Sequence, residues 1–552
     1  MKTLIFKYSY LIIIFIFPLF PFVFISAQSN MAIQWQGCYG GSDYDLVWDI
    51  VQSETGYLIL GESRSNNGNV TNNHGMRDIW LVNIDSLGGI IWERCYGGSN
   101  IDYPRVIISD FEGNYYFCGV VFSNDGDIQS GNHGNYDTWV VKIDSIGEII
   151  WEKCYGGSGC ENAPYIVQLK NGNLLISCNS TSSDGDLPSH YGISDNWLLI
   201  ISPEGEILQN KVFGNSMINN MKNIIETEDG GYFFVSSTNL VEGMVEGTYH
   251  GGLEDVWVVK LDSNMNIEWQ KLYGGSESDT SDQGIIELQD GYIFLAQTNS
   301  NDGDVSGYHG NIGESADIWV IRIDIVGNII WQRCLGGLFW EGSGSIHKTE
   351  DEGFVIFGET WSNNGDVSGN YSWSGYSDIW MVKLSADGEL EWQECFGGYG
   401  NERIYNGAIK KSDDNWIVAG RASNNSFDVD CNLHGNEDYW VFEIQDTTNV
   451  GQNEILLNNA EFLVYPNPAK DYVIFEIKGI KIQGNILIKD IFGQQVSELK
   501  ISNQKSYEAT QARMGIKNQK LVWDCRKIHG GVYFYQLNVD GNFKSGKIVI
   551  GK

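Results

Sequence analysis

Basic residues are scarce in this chain, with 35 Lys and Arg set against 71 Asp and Glu for a formal charge of −36. A surface of that sign repels phosphates, so DNA and RNA are excluded as natural partners. Proline is scarcer still at 8 residues, whereas glycine supplies 66, and only 19% of the chain is charged. That balance leaves little material for amphipathic helices and suits short strands joined by glycine turns, so an all-β protein is expected. After the first 27 residues no run approaches the roughly 18 continuous apolar positions a membrane helix needs.

Also missing are a nucleophile elbow, a zinc signature and a Walker loop, and no catalytic residue is assigned. The N-terminus carries Lys2 and Lys7, an apolar run from Leu11 to Ile25 interrupted by Pro18 and Pro21, and then Ser26-Ala27-Gln28. This pattern reads as a secretory signal over residues 1–27, cut between Ala27 and Gln28. No cysteine follows the cut, so a lipoprotein anchor is not expected. Of ten cysteines, Cys38, Cys95, Cys154, Cys334 and Cys395 share one repeat position that Val212 and Leu272 fill elsewhere, and Cys118 and Cys178 share another. They read as small buried hydrophobes. Equivalent positions on neighbouring sheets lie beyond the ~4.4–6.8 Å that a disulfide spans, so few bridges or none are expected, with Cys154 and Cys160 the one local pair to check.

An internal repeat of about sixty residues dominates what is present, the length of a four-stranded blade with generous loops. Tryptophan followed by Gln or Glu, and then by Gly-Gly, recurs at Trp35, Trp92, Trp151, Trp269, Trp331 and Trp392, with Leu208 standing in for a missing copy. Asp-x-Trp recurs seven times, with one variation, at Trp80, Trp139, Trp197, Trp257, Trp319, Trp380 and Trp440. Large aromatics spaced once per repeat are what packing sheet against sheet requires. Four strands are read in each copy, and in the first they fall around Ile50-Val51, Tyr57–Leu60, Ile79–Ile84 and Ile90–Tyr96. A fourth-strand copy at Ile33-Gln34-Trp35 precedes the first repeat, while the last repeat ends at its third strand near Trp440. The N-terminal strand is therefore expected to complete the last blade of a seven-bladed β-propeller over residues 28–445.

The run Asp255-Val256-Trp257-Val258-Val259-Lys260-Leu261-Asp262 resembles the repeats of secreted bacterial β-propellers, and the resemblance covers roughly residues 31–446. Residues 446–460 read as a polar linker. From 461 to 552 the chain resembles the type A C-terminal sorting domains of the type IX (Por) secretion system. The matching motifs are Tyr465-Pro466-Asn467-Pro468, the strand from Tyr472 to Ile477, Ile488 to Gln494, Gly531-Val532-Tyr533 and the run from Lys544 to Ile550. The resemblance implies a small immunoglobulin-like β-sandwich, recognition by the type IX machinery, and passage through the periplasm to the outer cell surface.

Function is expected on the face bearing the long loops between second and third strands. Their repeated Ser-Asn-Asp-Gly-Asp offers carboxylates for Ca²⁺ at Asp125, Asp127, Asp302 and Asp304, although the ligand series of an EF-hand is absent. The competing account is an Asx-turn in which each Asp caps backbone, with the recurring His-Gly serving structure. Phe339, Trp340, Trp361 and Trp373 break the repeat on this same face and form a candidate aromatic site for a glycan or protein ligand. A monomeric binding or adhesion propeller is the first reading; a glycan-active enzyme and a structural surface-layer component are the alternatives.

Overall fold

The computed structural model describes residues 27–28, 31–371, 375–446, 461–465, 469–478, 484–489, 495–501, 519–539 and 542–551. Two compact units emerge, one carried by Ile33–Ile444 and one by Gln445–Lys552.

In the first unit each repeat folds into its own antiparallel sheet. The second copy shows the scheme: Asp102–Ser109 is innermost, followed outward by Tyr115–Val121, Asp137–Ile143 and Ile149–Tyr155. Both middle strands are buried along their whole length, because each face of a sheet is covered by a neighbouring sheet. This explains why they read as continuous apolar runs and not as an alternation. The seven Asp-x-Trp indoles are fully buried between sheets. Asp144 follows the third strand, its backbone N–H bonded to Glu148 O and its carbonyl accepting from Gly147 N, in the tight turn to the outer strand. Gly147 takes φ +83°, a left-handed conformation that suits glycine.

Ring closure follows the expected route. The last sheet runs Ala408–Ser412, Asn415–Ala422, Asp438–Asp446 and finally Met31–Tyr39, so the N-terminal strand fills the outer place. The indole of Trp440 donates to Gln36 Oε1 at 2.9 Å, and that of Trp35 to Glu443 Oε2 at 2.7 Å. Inner segments of the last and first sheets meet where Asn406 donates to Asp49 Oδ1 at 3.0 Å. Ala27–Gln28 runs parallel to Trp392–Gln393 on the outer strand of the sixth sheet. Of the expected signal segment, residues 1–27, all but Ala27 lies outside the described residues.

Two sequence expectations change. Cys38 is not simply a buried hydrophobe: it forms a disulfide with Cys431, 393 residues away, at a Cα separation of 5.6 Å. Cys431 sits in the long loop of the last repeat and has no copy elsewhere, so the repeat could not reveal it; Cys154 and Cys160 remain free. In the third sheet the register pairs Leu199 with Asn210 and Ile200 with Gln209. Gln209, not Leu208, therefore occupies the place of the absent tryptophan, and Leu208 is exposed.

The second unit holds seven strands in two sheets among the described residues. Glu461–Tyr465, Tyr472–Lys478 and Gln519–Asp524 form one, and Gln495–Ile501, Gly484–Lys489, Gly531–Val539 and Asn542–Ile550 the other. Val473, Phe475, Ile486, Ile488, Trp523, Tyr533 and Ile548 make its core. No described helix is long and apolar enough to cross a membrane.

Candidate functional site

The long loops are first of all structural. Asp125 Oδ1 accepts the backbone N–H of Ser99 at 2.7 Å, and Asp302 Oδ1 that of Ser276 at the same distance. Asp127 and Asp304 accept from Gly97 N at 3.1 Å and Gly274 N at 3.3 Å. Each candidate calcium carboxylate thus serves a Gly-Gly-Ser turn leading into the next sheet, a longer-range cap than an Asx-turn within its own loop. Among the described residues no three His, Cys, Asp or Glu side chains converge as a metal would require. The recurring histidines face the Asp of Asp-x-Trp, with His74 Nδ1 at 2.6 Å from Asp78 Oδ2 and His434 Nδ1 at 2.9 Å from Asp438 Oδ2. His347 is a core group, edge-on to Trp416 at 5.1 Å, and burial lowers its pKa to about 4.

At the sheet junctions the Asp of Asp-x-Trp meets an acid four residues after Gly-Gly on the next inner strand. A β-carbon added at Gly274 would lie 2.9 Å from both Asp255 Oδ1 and Asp279 Oδ2, so only glycine leaves room there. The pattern repeats with Asp438 and Asp45, Asp317 and Glu341, and Asp378 and Glu402. Asn219 substitutes for the acid opposite Asp195. Burial chiefly, with the facing carboxylate adding to it, raises Asp45 and Asp255 to about 6, Glu341 to about 7 and Glu402 to about 8.

The inner strands contain the departure from symmetry. In six of them the ladder skips residues: Trp48, Arg105, Ala163-Pro164, Lys222, the Asp282–Gly284 stretch and Gly344. Tyr405 stands at the matching place in the seventh, just before the strand resumes at Ala408. Bulges re-aim side chains, and these positions carry aromatic, cationic, acidic and small residues with no type in common. Trp48 lies parallel to Tyr405 at 4.6 Å, and the Arg105 guanidinium covers Trp48 at 4.6 Å. The carboxylate of Asp282 accepts from Ser343 Oγ at 2.8 Å and Gln297 Nε2 at 3.1 Å. Burial lowers the Lys222 pKa; Asp282 and Glu254 oppose that, and Arg105 reinforces it from beyond the intervening third sheet. Successive innermost strands touch one another around the ring, and Gly344 abuts the backbone of Tyr405, so the bulged positions line one central channel. Around its mouth run the ion pairs Glu62 with Arg77 at 2.9 Å, Arg421 with Glu437 at 3.2 Å and Arg403 with Glu359 at 3.6 Å.

Of the four aromatic candidates, the structure joins two directly. Trp340 and Trp361 pack edge to face at 4.8 Å, and Arg403 stacks on Trp361 at 5.0 Å, linking the pair to the channel mouth. Phe339 is exposed beside them. Trp373 lies outside the described residues. The channel residues escape the sequence reading because the bulge that sets them apart shows only in the strand register.

Tyr465 ends the strand that pairs it with Ile474, and Pro466-Asn467-Pro468 lies outside the described residues. Gly531, Val532 and Tyr533 open a strand, with Tyr533 Oη donating to His529 O at 2.9 Å. Residues 463–551 match the family described as the secretion system C-terminal sorting domain, Por_Secre_tail. The tail thus marks the chain for export and surface sorting by the type IX machinery. No curated protein matches the chain. Among solved structures, BBS1N in complex with ARL6DN is 8% identical and covers 75% of this chain and 97% of its own, at TM-score 0.38. A Synechocystis apocarotenoid oxygenase mutant is 11% identical, covering 85% and 96%, also at TM-score 0.38. The GH93 α-L-arabinofuranosidase of Fusarium graminearum is 9% identical, covering 61% and 91%, at TM-score 0.35.

Proposed function

We propose that this protein is an exported surface propeller that binds a glycan or protein ligand on its long-loop face, through the channel mouth and the Trp340–Trp361 patch. One observation carries the reading: where the inner strands bulge out of their ladders, the copies place Trp48, Arg105, Lys222, Asp282 and Tyr405, aromatic and charged groups that no recurring packing contact requires. Residues free of an architectural duty and gathered at one concavity are the ordinary signature of a recognition site.

The test is a glycan and protein array probed with the full secreted chain, followed by affinity measurement on each hit. Replacing Trp340 and Trp361 together by Ala is expected to weaken the authentic ligand at least tenfold while the melting temperature shifts by only a few degrees. A ligand whose affinity is indifferent to that double variant and to Trp48→Ala removes this face from consideration. Release of new sugar ends during the incubation replaces binding by hydrolysis as the role.

A further inference from the structure

The channel holds an imbalance that packing does not explain. Asp282 is satisfied by neighbouring donors, yet the two cations sharing the channel are not. Among the described residues Arg105 and Lys222 make no hydrogen bond or ion pair; the Asp282 and Glu254 carboxylates act on Lys222 only from beyond ion-pair distance. The Nε of Arg105 is enclosed without an acceptor, and so is the indole Nε1 of Trp48 beneath it. Burying unpaired donors and charges is costly. Here that cost falls on two adjacent inner strands, each time at a bulge, and half-buried Lys222 adds an ammonium without an ion pair at a third.

The guanidinium is also held in place. It sits over the ring of Trp48, which lies flat on Tyr405, and Tyr405 has Arg421 5.9 Å from its ring centre. Contact with the indole face confines the guanidinium, whose N–H groups remain available to a ligand. A planar fork with a point cation nearby suits a carboxylate, which accepts two parallel hydrogen bonds from arginine. Tyr103, Asn162 and Thr280, one residue past the junction position on their inner strands, add neutral hydrogen-bonding groups of the kind that serve sugar hydroxyls. An acidic peptide offers no array of hydroxyls to such groups and is the poorer match.

We infer that the channel is a carboxylate site, in which Arg105 and Lys222, with the Trp48 indole, grip the acid group of a uronic-acid-bearing saccharide. This rests on the binding role proposed above and names its ligand class.

Calorimetric titration of the full secreted chain against trigalacturonate, the neutral galactose trimer, an oligoglutamate peptide and inorganic sulfate tests it. Trigalacturonate is expected to bind, the neutral trimer to bind at least tenfold more weakly, and Arg105→Gln and Lys222→Met each to remove at least tenfold of the trigalacturonate affinity. Lys222→Met without ligand should melt no lower than the parent, because it deletes an unpaired charge; a marked drop shows the lysine to be a structural partner and overturns the site. Equal binding of trigalacturonate to parent and both variants overturns it too. Preferential binding of oligoglutamate, or of sulfate alone, replaces the sugar by a peptide or a generic anion. Failure with every acid while the Trp340 and Trp361 variant still loses another ligand sinks only this inference; absence of any ligand on the arrays sinks the binding role itself.

Discussion

Most residues of a repeat are fixed by one neighbour each, and the exceptions show what that neighbour contributes. Six of the seven Asp-x-Trp indoles donate to the Gln or Glu that follows an outer-strand tryptophan, as Trp257 does to Gln270 Oε1 at 2.8 Å and Trp139 to Glu152 Oε2 at 2.7 Å. Trp440 finds Gln36 of the closing strand. In the third sheet the residue at that register is Asn210, one methylene shorter; it turns instead to Asp186 O, and the Trp197 indole is buried without an acceptor. Asn210→Gln is therefore expected to stabilise the protein by about 1 kcal/mol, and Gln270→Ala to destabilise it by roughly 1–3 kcal/mol. Denaturant midpoints of the two variants check both signs, and a shift of Asn210→Gln toward lower denaturant contradicts the account. The two-tryptophan motif is legible in the sequence because it recurs, but its wiring is not. Pairing an indole with an acceptor 13 positions away requires the strand register, and placing Leu208 in the tryptophan position shifts that register by one.

At the scale of strands and loops, periodicity makes the sheets legible and hides whatever occurs once. The four strands of each copy, the turn at Asp144 and the closing strand at Met31–Tyr39 all follow from repetition and from a fourth-strand motif placed ahead of its array. Neither the inner-strand bulges nor the disulfide repeats in composition: a bulge shows itself only as a slipped ladder, and Cys431 is a single cysteine in a loop. Yet that bridge supports the same closure the repeats predict, since it ties the outer closing strand to the last long loop. Replacing Cys38 and Cys431 together by Ser should lower stability by about 2–4 kcal/mol. The same loss should appear when the parent is reduced and be absent when the double variant is reduced. A parent whose melting is indifferent to reductant contradicts the bridge as a closure element.

For the molecule as a whole, the junction acids make a stack of sheets into a titrating body. Asp45, Asp255, Glu341 and Glu402 have pKa values of about 6, 6, 7 and 8 in the folded chain, against about 4 when unfolded. A carboxyl with a raised folded pKa binds its proton more tightly when folded. The stability it confers is full below pH 4 and is lost as pH rises through 6 to 8. His309, raised chiefly by its hydrogen bond to Asp317, acts in the same direction, its contribution present below about pH 6.5 and lost above its folded value. His347 acts oppositely: lowered to about 4 by burial, it costs stability as pH falls from 6.5 toward 4, but it is one group against several. A tenfold difference in proton affinity between the folded and unfolded chain corresponds to about 1.4 kcal/mol, so melting temperature is expected to be higher at pH 5.5 than at pH 8.5. Self-repulsion of a chain at −36 pushes the same way, and salt tells the two apart. In 0.5 M NaCl the Debye length falls to roughly 4 Å and long-range repulsion between exposed charges is screened, whereas facing carboxyls inside a junction are not. A slope with pH that survives salt and flattens in Glu341→Gln with Glu402→Gln assigns the effect to the junctions; a slope that salt abolishes assigns it to the surface and removes the junctions as its source.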